Sequence, residues 1–308
     1  MNRRIFRRIF LTRMGPWLYN VESEHLTGTR ALPPAAAPGE KDRNMRFQSF
    51  ASGSSGNCIY IGSDTTHLLL DVGISRKRTV AALNEIGLGL RDIDGIFLTH
   101  EHTDHIGGLP MIAKQSDMPI YATRGTIRAI RSMPKFQDID PERFIPVKAD
   151  EKVIVKDLTV NPMTISHDAA EPVGYRVTYG TKKACVCTDL GCYNEYTAEC
   201  LKDSDVLLLE ANHDVNMLQV GPYPYPLKQR ILSRLGHLSN RMSGELLCRV
   251  LNDHMKGIFL GHLSQENNYP ELAFETVRLE IMQQGQYRAD ELPLGVAARK
   301  EASPLVEF

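Results

Sequence analysis

The sequence lacks three features that are diagnostic of particular protein classes. Its six cysteines form no CxxC pair, which argues against a zinc ribbon and against a thioredoxin-type redox site. It has no apolar run long enough to span a bilayer, because strand-like runs such as residues 206–209 are short and bounded by charge. Its formal net charge is only −1, unlike the basic footprint of a protein that coats nucleic acid. A transmembrane protein and a broadly basic nucleic-acid coat are therefore excluded.

The first 44 residues differ in composition from the remainder. They hold eight Lys/Arg and four Asp/Glu, begin with several arginines before any acid, and end in a Pro/Ala/Gly-rich stretch at residues 31–39. Such a segment could be an organellar transit peptide or an unstructured extension. The linker-like composition, followed by strand-like sequence from Met45, favours the second. We therefore predict a disordered extension over residues 1–44 and one domain over residues 45–308.

The predicted domain alternates short apolar runs with helical patterns, and 42% of the chain is hydrophobic, enough for a substantial core. The strands fall in two groups, each followed by helices, which predicts an α/β fold with two sheets packed face to face and helices outside. Strands are predicted near residues 47–50, 58–61, 67–70, 95–98, 153–155, 158–164, 174–179, 184–187, 206–209 and 258–260, and helices near 76–86, 240–251 and 270–284.

The segment THEHTDHIGG at residues 99–108 concentrates metal-binding chemistry. It places His100, His102, Asp104 and His105 directly after a predicted strand. Neutral imidazoles suit zinc and similar ions, a carboxylate adds negative charge, and a loop leaving a strand lets several side chains converge. The segment therefore predicts a metal site.

Three further residues follow predicted strands, and each has an ordinary alternative. His167 alone would be a surface residue, and Asp189 could merely cap a helix starting near Tyr193. The sequence Leu-Gly-His-Leu-Ser occurs twice, and only the copy with His262 follows an apolar strand. With the cluster present, we expect His167, Asp189 and His262 to be ligands, which frees His237 of the first copy for another role.

This arrangement resembles the metallo-β-lactamase superfamily, whose hallmark is HxHxDH followed by a lone His, an Asp and a final His, each after a strand. The resemblance covers nearly all of residues 45–265. It implies a four-layer αββα sandwich of two mixed sheets and two divalent metal ions, Zn²⁺ in first place and Mn²⁺ as the alternative. The resemblance implies that one ion is held by His100, His102 and His167, the other by Asp104, His105 and His262, with Asp189 bridging both and Asp71 orienting the site from behind.

The implied metal pair favours hydrolysis. Two divalent ions sharing a hydroxide provide a nucleophile at neutral pH, because coordination lowers the pKa of water towards about 7. The implied bridging residue is Asp189 and not a cysteine, which is similar to the nuclease, phosphodiesterase and thioesterase branches. Two ions bridged by a carboxylate also suit an in-line displacement at phosphorus.

A more specific resemblance is to the YycJ (WalJ) branch of this superfamily. Its marks are residues 51–57 (ASGSSGN), the histidine block, Glu-Ala-Asn-His-Asp at 210–214, GPYPYPLKQR at 221–230 and both Gly-His-Leu-Ser copies. This resemblance implies a cytoplasmic hydrolase that acts on nucleic acid. Within that class it implies an exonuclease, with DNA expected ahead of RNA as the substrate.

Residues 209–239 contain candidates for proton transfer. Glu210 and His213 follow a strand end in a stretch that loosely resembles the His-Glu-Ala-Thr motif of the tRNase Z enzymes, although Leu209 stands where their histidine would. We hypothesise that His213 or His237 is the general acid, with polar loop histidines as the alternative. The candidate catalytic residues are Asp104, Glu210, His213 and His237.

The same stretch contains candidates for substrate contact. Tyrosines interleave with basic residues, a combination suited to stacking bases and contacting phosphates; the alternative is a proline-stiffened loop with an exposed basic helix. The Ser-Gly hairpin is implied to lie near the metals, or is only a tight turn. The candidate substrate residues are Ser54, Asn57, Tyr223, Tyr225, Lys228, Arg230 and Ser264.

Other functions remain as alternatives. A thioesterase similar to glyoxalase II would need a glutathione-binding helical region after the core, where only about forty residues follow Ser264. A non-catalytic metal-binding module would usually close its site with four ligands, whereas seven candidates occur here. A lactamase would require export, and the N-terminus lacks the apolar core of a secretory signal.

Overall fold

Short runs rich in β-branched and aromatic residues form the strands of this chain, and helices with one buried face follow them. The structure is a computed structural model that describes residues 44–285 and 287–308. The strands are β1 (Arg46–Ala51), β2 (Cys58–Gly62), β3 (His67–Leu70), β4 (Gly95–Phe97), β5 (Ile120–Thr123), β6 (Phe144–Val147), β7 (Val153–Val155), β8 (Leu158–Thr164), β9 (Val173–Tyr179), β10 (Lys182–Cys187), β11 (Val206–Glu210), β12 (Gly257–Gly261), β13 (Leu294–Val296) and β14 (Val306–Glu307). The α-helices are α1 (Arg76–Glu85), α2 (Thr103–Ile106), α3 (Leu109–Ala113), α4 (Arg124–Ser132), α5 (Glu195–Leu201), α6 (Val215–Val220), α7 (Tyr225–Leu232), α8 (Asn240–Val250) and α9 (Pro270–Gln284).

The strands form two seven-stranded sheets with matching patterns. The first has the order β14-β1-β2-β3-β4-β5-β6 and the second β13-β12-β11-β10-β9-β8-β7. In the first sheet the pairs from β3 to β6 are parallel and the others antiparallel. In the second sheet the pairs from β10 to β13 are parallel and the others antiparallel. Both sheets are therefore mixed, as predicted.

Three apolar clusters define four layers. The cluster between the sheets contains residues of both, such as Phe47 of β1 and Phe259 of β12, whose rings stack at 5.7 Å. A second cluster joins the outer face of the first sheet to α1, α3 and α4, and a third joins the second sheet to α5, α8 and α9. These layers confirm the predicted αββα sandwich.

All the predicted strands and the three predicted helices are present, with ends shifted by a residue or two. The predicted hairpin around residues 52–57 joins β1 and β2, which pair antiparallel. Four strands were missed, namely β5, β6, β13 and β14. Three of these are edge strands. Pro146 lies in β6, Gly295 lies in β13, and β14 has only two residues, so none of the three shows the apolar pattern of a strand.

The predicted extension over residues 1–44 lies, apart from Asn44, outside the described residues. Both sheets lie within the predicted domain, in residues 45–285 and 287–308. Within these ranges, every helix is too short or too polar to cross a membrane.

Parallel strands of both sheets end at one edge of the sandwich. Since the carboxyl ends of parallel strands lie on the same side of a sheet, residues that follow them are brought together. The candidate ligands and their neighbours follow β3, β4, β8, β10, β11 and β12. The fold therefore concentrates their side chains at one place.

Candidate metal centre

The histidine block forms the first half of the site. His100 lies shortly after β4, His102 precedes α2, and Asp104 and His105 lie within that helix. The turn packs so tightly that a Cβ on Gly73 would lie 1.6 Å from the carbonyl oxygen of Asp104. Glycine at this position therefore lets the ligand helix approach the end of β3.

His100, His102 and His167 converge on one point. Their ligand nitrogens all lie within 4.8 Å of one another. His102 Nδ1 and His167 Nε2 are 3.2 Å apart, close to the spacing of about 3.3 Å that two nitrogens on one tetrahedral zinc ion would have. The Nε2 atom of His100 is buried and has no hydrogen-bond partner in the described part of the chain. A buried nitrogen normally has a partner, so an ion at this point would satisfy it.

A second group lies beside the first. His262 Nε2 is 3.3 Å from Asp104 Oδ2 and 3.4 Å from Asp189 Oδ1. His105 Nε2 is 3.2 Å from Asp189 Oδ2, and His167 Nε2 is 3.7 Å from Asp189 Oδ1. The carboxylate of Asp189 therefore lies between the two groups. The described residues can hold two ions with a shared carboxylate.

Acceptors behind the imidazoles orient three of the candidate ligands. When a histidine donates its Nδ1 proton to such an acceptor, its Nε2 lone pair is free to bind a metal. The pairs are His105 Nδ1 with Asp71 Oδ2 at 2.7 Å, His167 Nδ1 with the Gly236 carbonyl at 3.1 Å, and His262 Nδ1 with Glu210 Oε1 at 2.9 Å.

Four acidic side chains lie among the histidines of the site. Among the described residues, no lysine or arginine pairs with Asp71, Asp104, Asp189 or Glu210. Burial would raise the pKa of Asp189, but neighbouring histidines outweigh it and hold that pKa well below its usual range. Burial likewise opposes ionisation of Glu210, yet neighbouring histidines, His237 first among them, lower its pKa to about 2. Buried ionised carboxylates need positive partners, and two divalent ions would supply that charge.

Backbone strain accompanies three of these positions. Asp71, Asp189 and His262 have left-handed φ angles of 57°, 58° and 54°. A residue other than glycine adopts this conformation at a cost of about 1–3 kcal/mol, and such residues cluster at functional sites. Each of the three lies just after a strand, so the left-handed turn directs the side chain into the cluster. The sequence pattern contained no signal for this strain.

A pocket of about 250 Å³ opens onto the candidate ligands. Four of the seven predicted substrate residues form part of its wall. The lining residues are Ser54, His102, Asp104, Asp189, Asn212, Tyr223, Leu227, Arg230, Ile231, His237, His262 and Ser264.

The other three predicted substrate residues lie elsewhere. Asn57 is buried beneath the site, where its side chain contacts Gly53, Asp104 and His105. Tyr225 is 72% exposed and does not line the pocket. The ammonium group of Lys228 donates to the Gln219 carbonyl at 2.8 Å, also away from the pocket wall.

Sequence reasoning missed two polar residues that contact residues of the pocket wall. Asp168, next to the candidate ligand His167, accepts two hydrogen bonds from the guanidinium group of Arg230. Asn212 donates to the backbone carbonyl of His262 at 2.9 Å and lines the pocket. Asp168 and Asn212 each lie beside a residue that the sequence analysis had named, and this adjacency was the only indication of their role.

The three candidates for proton transfer occupy different positions. Glu210 is fully buried, and its Oε1 atom accepts hydrogen bonds from His237 and His262, at 2.8 and 2.9 Å. His237 lines the pocket with a side chain that is 16% exposed. His213 is buried outside the pocket wall, and neither ring nitrogen has a hydrogen-bond partner in the described ranges. Only His237 therefore faces the space where a substrate would lie.

We expect the Asp71→Asn substitution to weaken metal binding by about 10–100-fold, because it removes the charged acceptor behind His105. Asparagine keeps the shape and tolerates the left-handed backbone. Competition with a chelator of known affinity measures the change. Asp157→Asn is the matched control, since that carboxylate accepts hydrogen bonds from Ser63 and Thr65 and belongs to none of the groups of candidate ligands. Equal metal affinity in the two variants would contradict the orienting role.

Comparison with known proteins gives a consistent result. Residues 66–255 match the model of the β-lactamase superfamily domain. The chain is 38% identical over 241 residues to the exodeoxyribonuclease YycJ of Bacillus anthracis, covering 78% of this chain and 90% of that protein. It is also 38% identical to the exodeoxyribonuclease WalJ of Streptococcus pneumoniae strain D39, covering 78% of this chain and 89% of that protein.

Solved structures show the same fold at low identity. Zn²⁺-bound PqqB from Methylobacterium extorquens matches with a TM-score of 0.64 and 15% identity, covering 84% of this chain and 99% of that one. The short form of human tRNase Z matches with a TM-score of 0.56 and 16% identity, covering 84% of this chain and 98% of that one.

Proposed function

Because this chain belongs to the β-lactamase superfamily, we propose that it is a metal-dependent phosphodiesterase that acts on nucleic acid, as an exonuclease on DNA. One observation carries the proposal: two exodeoxyribonucleases are 38% identical to the chain over about nine-tenths of their own lengths. The seven candidate ligands, gathered at one edge of the sandwich, support the hydrolytic part of it.

We propose that His100, His102 and His167 hold one divalent ion, that Asp104, His105 and His262 hold the other, and that Asp189 bridges them. When bound, the pair supplies Lewis acidity and lowers the pKa of a water molecule. Five imidazoles among seven ligands favour Zn²⁺, with Mn²⁺ as the alternative that the carboxylates allow. Asp71 and Glu210 act as acceptors that orient ligand imidazoles, as their contacts with His105 and His262 indicate.

The chain's own residues have separate tasks around the pocket. Arg230 at the rim presents a guanidinium group suited to a phosphate, and Asp168 holds it in place. Tyr223 offers an aromatic face on which a base can stack. Ser54 and Ser264 add hydroxyl groups to the pocket wall. His237 donates a proton to the leaving oxygen.

The proposed location of the protein is the cytoplasm. All six cysteines are unpaired thiols in the structure, which suits a reducing compartment. The activity named for the two similar nucleases supports DNA as the substrate. The cysteine state can be tested by thiol titration of protein purified from cells.

The function is tested by incubating the full-length protein with end-labelled single- and double-stranded DNA and with RNA, adding Zn²⁺ or Mn²⁺. An Asp104→Ala, His105→Ala variant serves as the control, since both residues contact the same candidate ion position. We expect metal-dependent release of nucleotides from DNA, inhibition by a chelator and no release by the variant. No cleavage of any polymer by metal-loaded protein would contradict the nuclease proposal, and release of internal fragments would contradict the exonuclease part.

Two tyrosines provide a matched test of the pocket wall. We expect Tyr223→Ala to weaken binding of single-stranded DNA by about 1–3 kcal/mol, because it removes a stacking surface in the pocket. Tyr225→Ala should have little effect, since that side chain is 72% exposed outside the pocket. The KM values for an oligonucleotide measure both changes. Equal effects of the two substitutions would show that Tyr223 does not stack on the substrate.

A further inference from the structure

Helix α4 presents three arginines that the metal centre does not use. Arg124, Arg128 and Arg131 are exposed and are spaced by four and three residues, so they lie along one face of the helix. Within the described ranges their guanidinium groups form no hydrogen bond or ion pair. The row of positive charge is therefore available to an anionic partner.

The arginines border a groove between α4 and the edge strand β6. Its volume is about 390 Å³, and its other lining residues are apolar. The groove therefore combines a charged rim with an apolar floor. Its lining residues are Arg124, Ile127, Arg128, Arg131, Pro141, Phe144 and Pro146.

One end of this groove lies at the edge of the sandwich that holds the candidate ligands. Strands β4 and β5 are parallel, so α4 starts at the edge where β4 delivers His100. Glu171, four residues after His167, ties the loop of that ligand to the start of α4. Its carboxylate accepts the backbone N–H of Gly125 at 2.6 Å, and its carbonyl accepts the hydroxyl of Thr123 at 2.7 Å. The arginine row then leads away from the ligands along the helix.

We propose that the groove binds the phosphodiester backbone of the nucleic acid strand whose end lies in the metal pocket. This inference rests on the proposed function and extends it to a second contact surface. At a rise of 1.5 Å per residue the row spans about 10 Å, which matches about three successive phosphates of one strand. Arginine binds phosphate through paired N–H donors, and the apolar floor suits sugars and bases.

The test replaces all three arginines with glutamine in the full-length protein. The control variant is Arg241→Gln, Arg249→Gln, Arg278→Gln, which removes the same charge from α8 and α9, where each arginine pairs with a glutamate. Two substrates are compared: a single-stranded oligonucleotide long enough to lie along α4, and bis(p-nitrophenyl) phosphate, which reaches only the metal pocket.

We expect the groove variant alone to raise the KM for the oligonucleotide by about tenfold or more. The slope of log binding constant against log salt concentration should become shallower by roughly 2, from three lost phosphate contacts at about 0.7 each. Hydrolysis of the short ester should be unchanged. A variant with lysine at the three positions should keep the salt slope, because it keeps the charge.

Equal KM values and salt slopes in the groove and control variants would overturn the inference, as would a parallel loss of hydrolysis of the short ester. If the unaltered protein cleaves no polynucleotide, the proposed function fails. Binding to the groove is then tested without cleavage, by fluorescence anisotropy of a labelled oligonucleotide. Weaker binding by the groove variant alone supports it, whereas equal binding by all variants overturns it.

Discussion

Replacing Asp189 with asparagine is expected to reduce phosphodiester hydrolysis by at least about 10³-fold. The carboxylate lies between the two groups of candidate ligands, 3.2 Å from His105 Nε2 and 3.4 Å from His262 Nε2. An amide has the same size but brings no negative charge and offers one oxygen instead of two. The variant should therefore lose kcat on bis(p-nitrophenyl) phosphate and on DNA alike, and elemental analysis should show fewer than two metal ions per chain.

The control for this experiment must preserve the unusual backbone. Asp203 is also left-handed, with a φ of 57°, but is exposed and outside every group of candidate ligands. Since asparagine tolerates this conformation, neither variant should be strained by the substitution itself. Asp203→Asn should retain full activity and metal content. An Asp189→Asn protein that keeps two ions and normal kcat would show that the carboxylate does not bridge them.

The candidate ligands could be predicted from the sequence because they depend on strand ends. Each follows an apolar run, and the carboxyl ends of parallel strands meet at one edge whatever the exact packing. The sequence Leu-Gly-His-Leu-Ser occurs twice, and the copy with His262 was predicted to supply the ligand because only that copy follows a strand, β12. The structure places His262 among the candidate ligands and also brings His237, which contacts Glu210, to the same pocket. The order of residues in the sequence did not indicate that His237 would also reach this pocket.

Only part of the pocket wall could be predicted, because the rest depends on which face of a short helix points inward. In α7, Leu227, Arg230 and Ile231 share one face through their spacing of three and four residues, and they line the pocket. Tyr225 and Lys228 of the same helix do not. The alternation of tyrosine and basic residues indicated a nucleic-acid contact, but it did not indicate which of these side chains point into the pocket. The structure places one face of this segment along the pocket, and its contact with nucleic acid stays a prediction.

The two candidates for the general acid differ in their access to the pocket. His237 lines the pocket, and its Nδ1 atom contacts Glu210 at 2.8 Å, so its Nε2 atom is free to face a substrate. His213 is buried, and burial lowers its pKa to about 4, so its imidazole is uncharged at neutral pH and is a weak proton donor. A general acid must reach the leaving oxygen and carry a proton. Access to the pocket therefore favours His237, and the lowered pKa disfavours His213.

His237→Ala is therefore expected to lower kcat on DNA by about 10²–10⁴-fold, the usual contribution of a positioned general acid. Bis(p-nitrophenyl) phosphate distinguishes this role from damage to the metal centre, because p-nitrophenolate leaves without a proton. The variant should hydrolyse that ester with a loss of about tenfold or less, and it should keep two metal ions. His213→Ala should change kcat on DNA by less than about tenfold, since its ring does not reach the pocket. Equal losses of His237→Ala on DNA and on the ester would assign this histidine to metal binding, whereas a larger loss for His213→Ala on DNA alone would transfer the acid role to that residue.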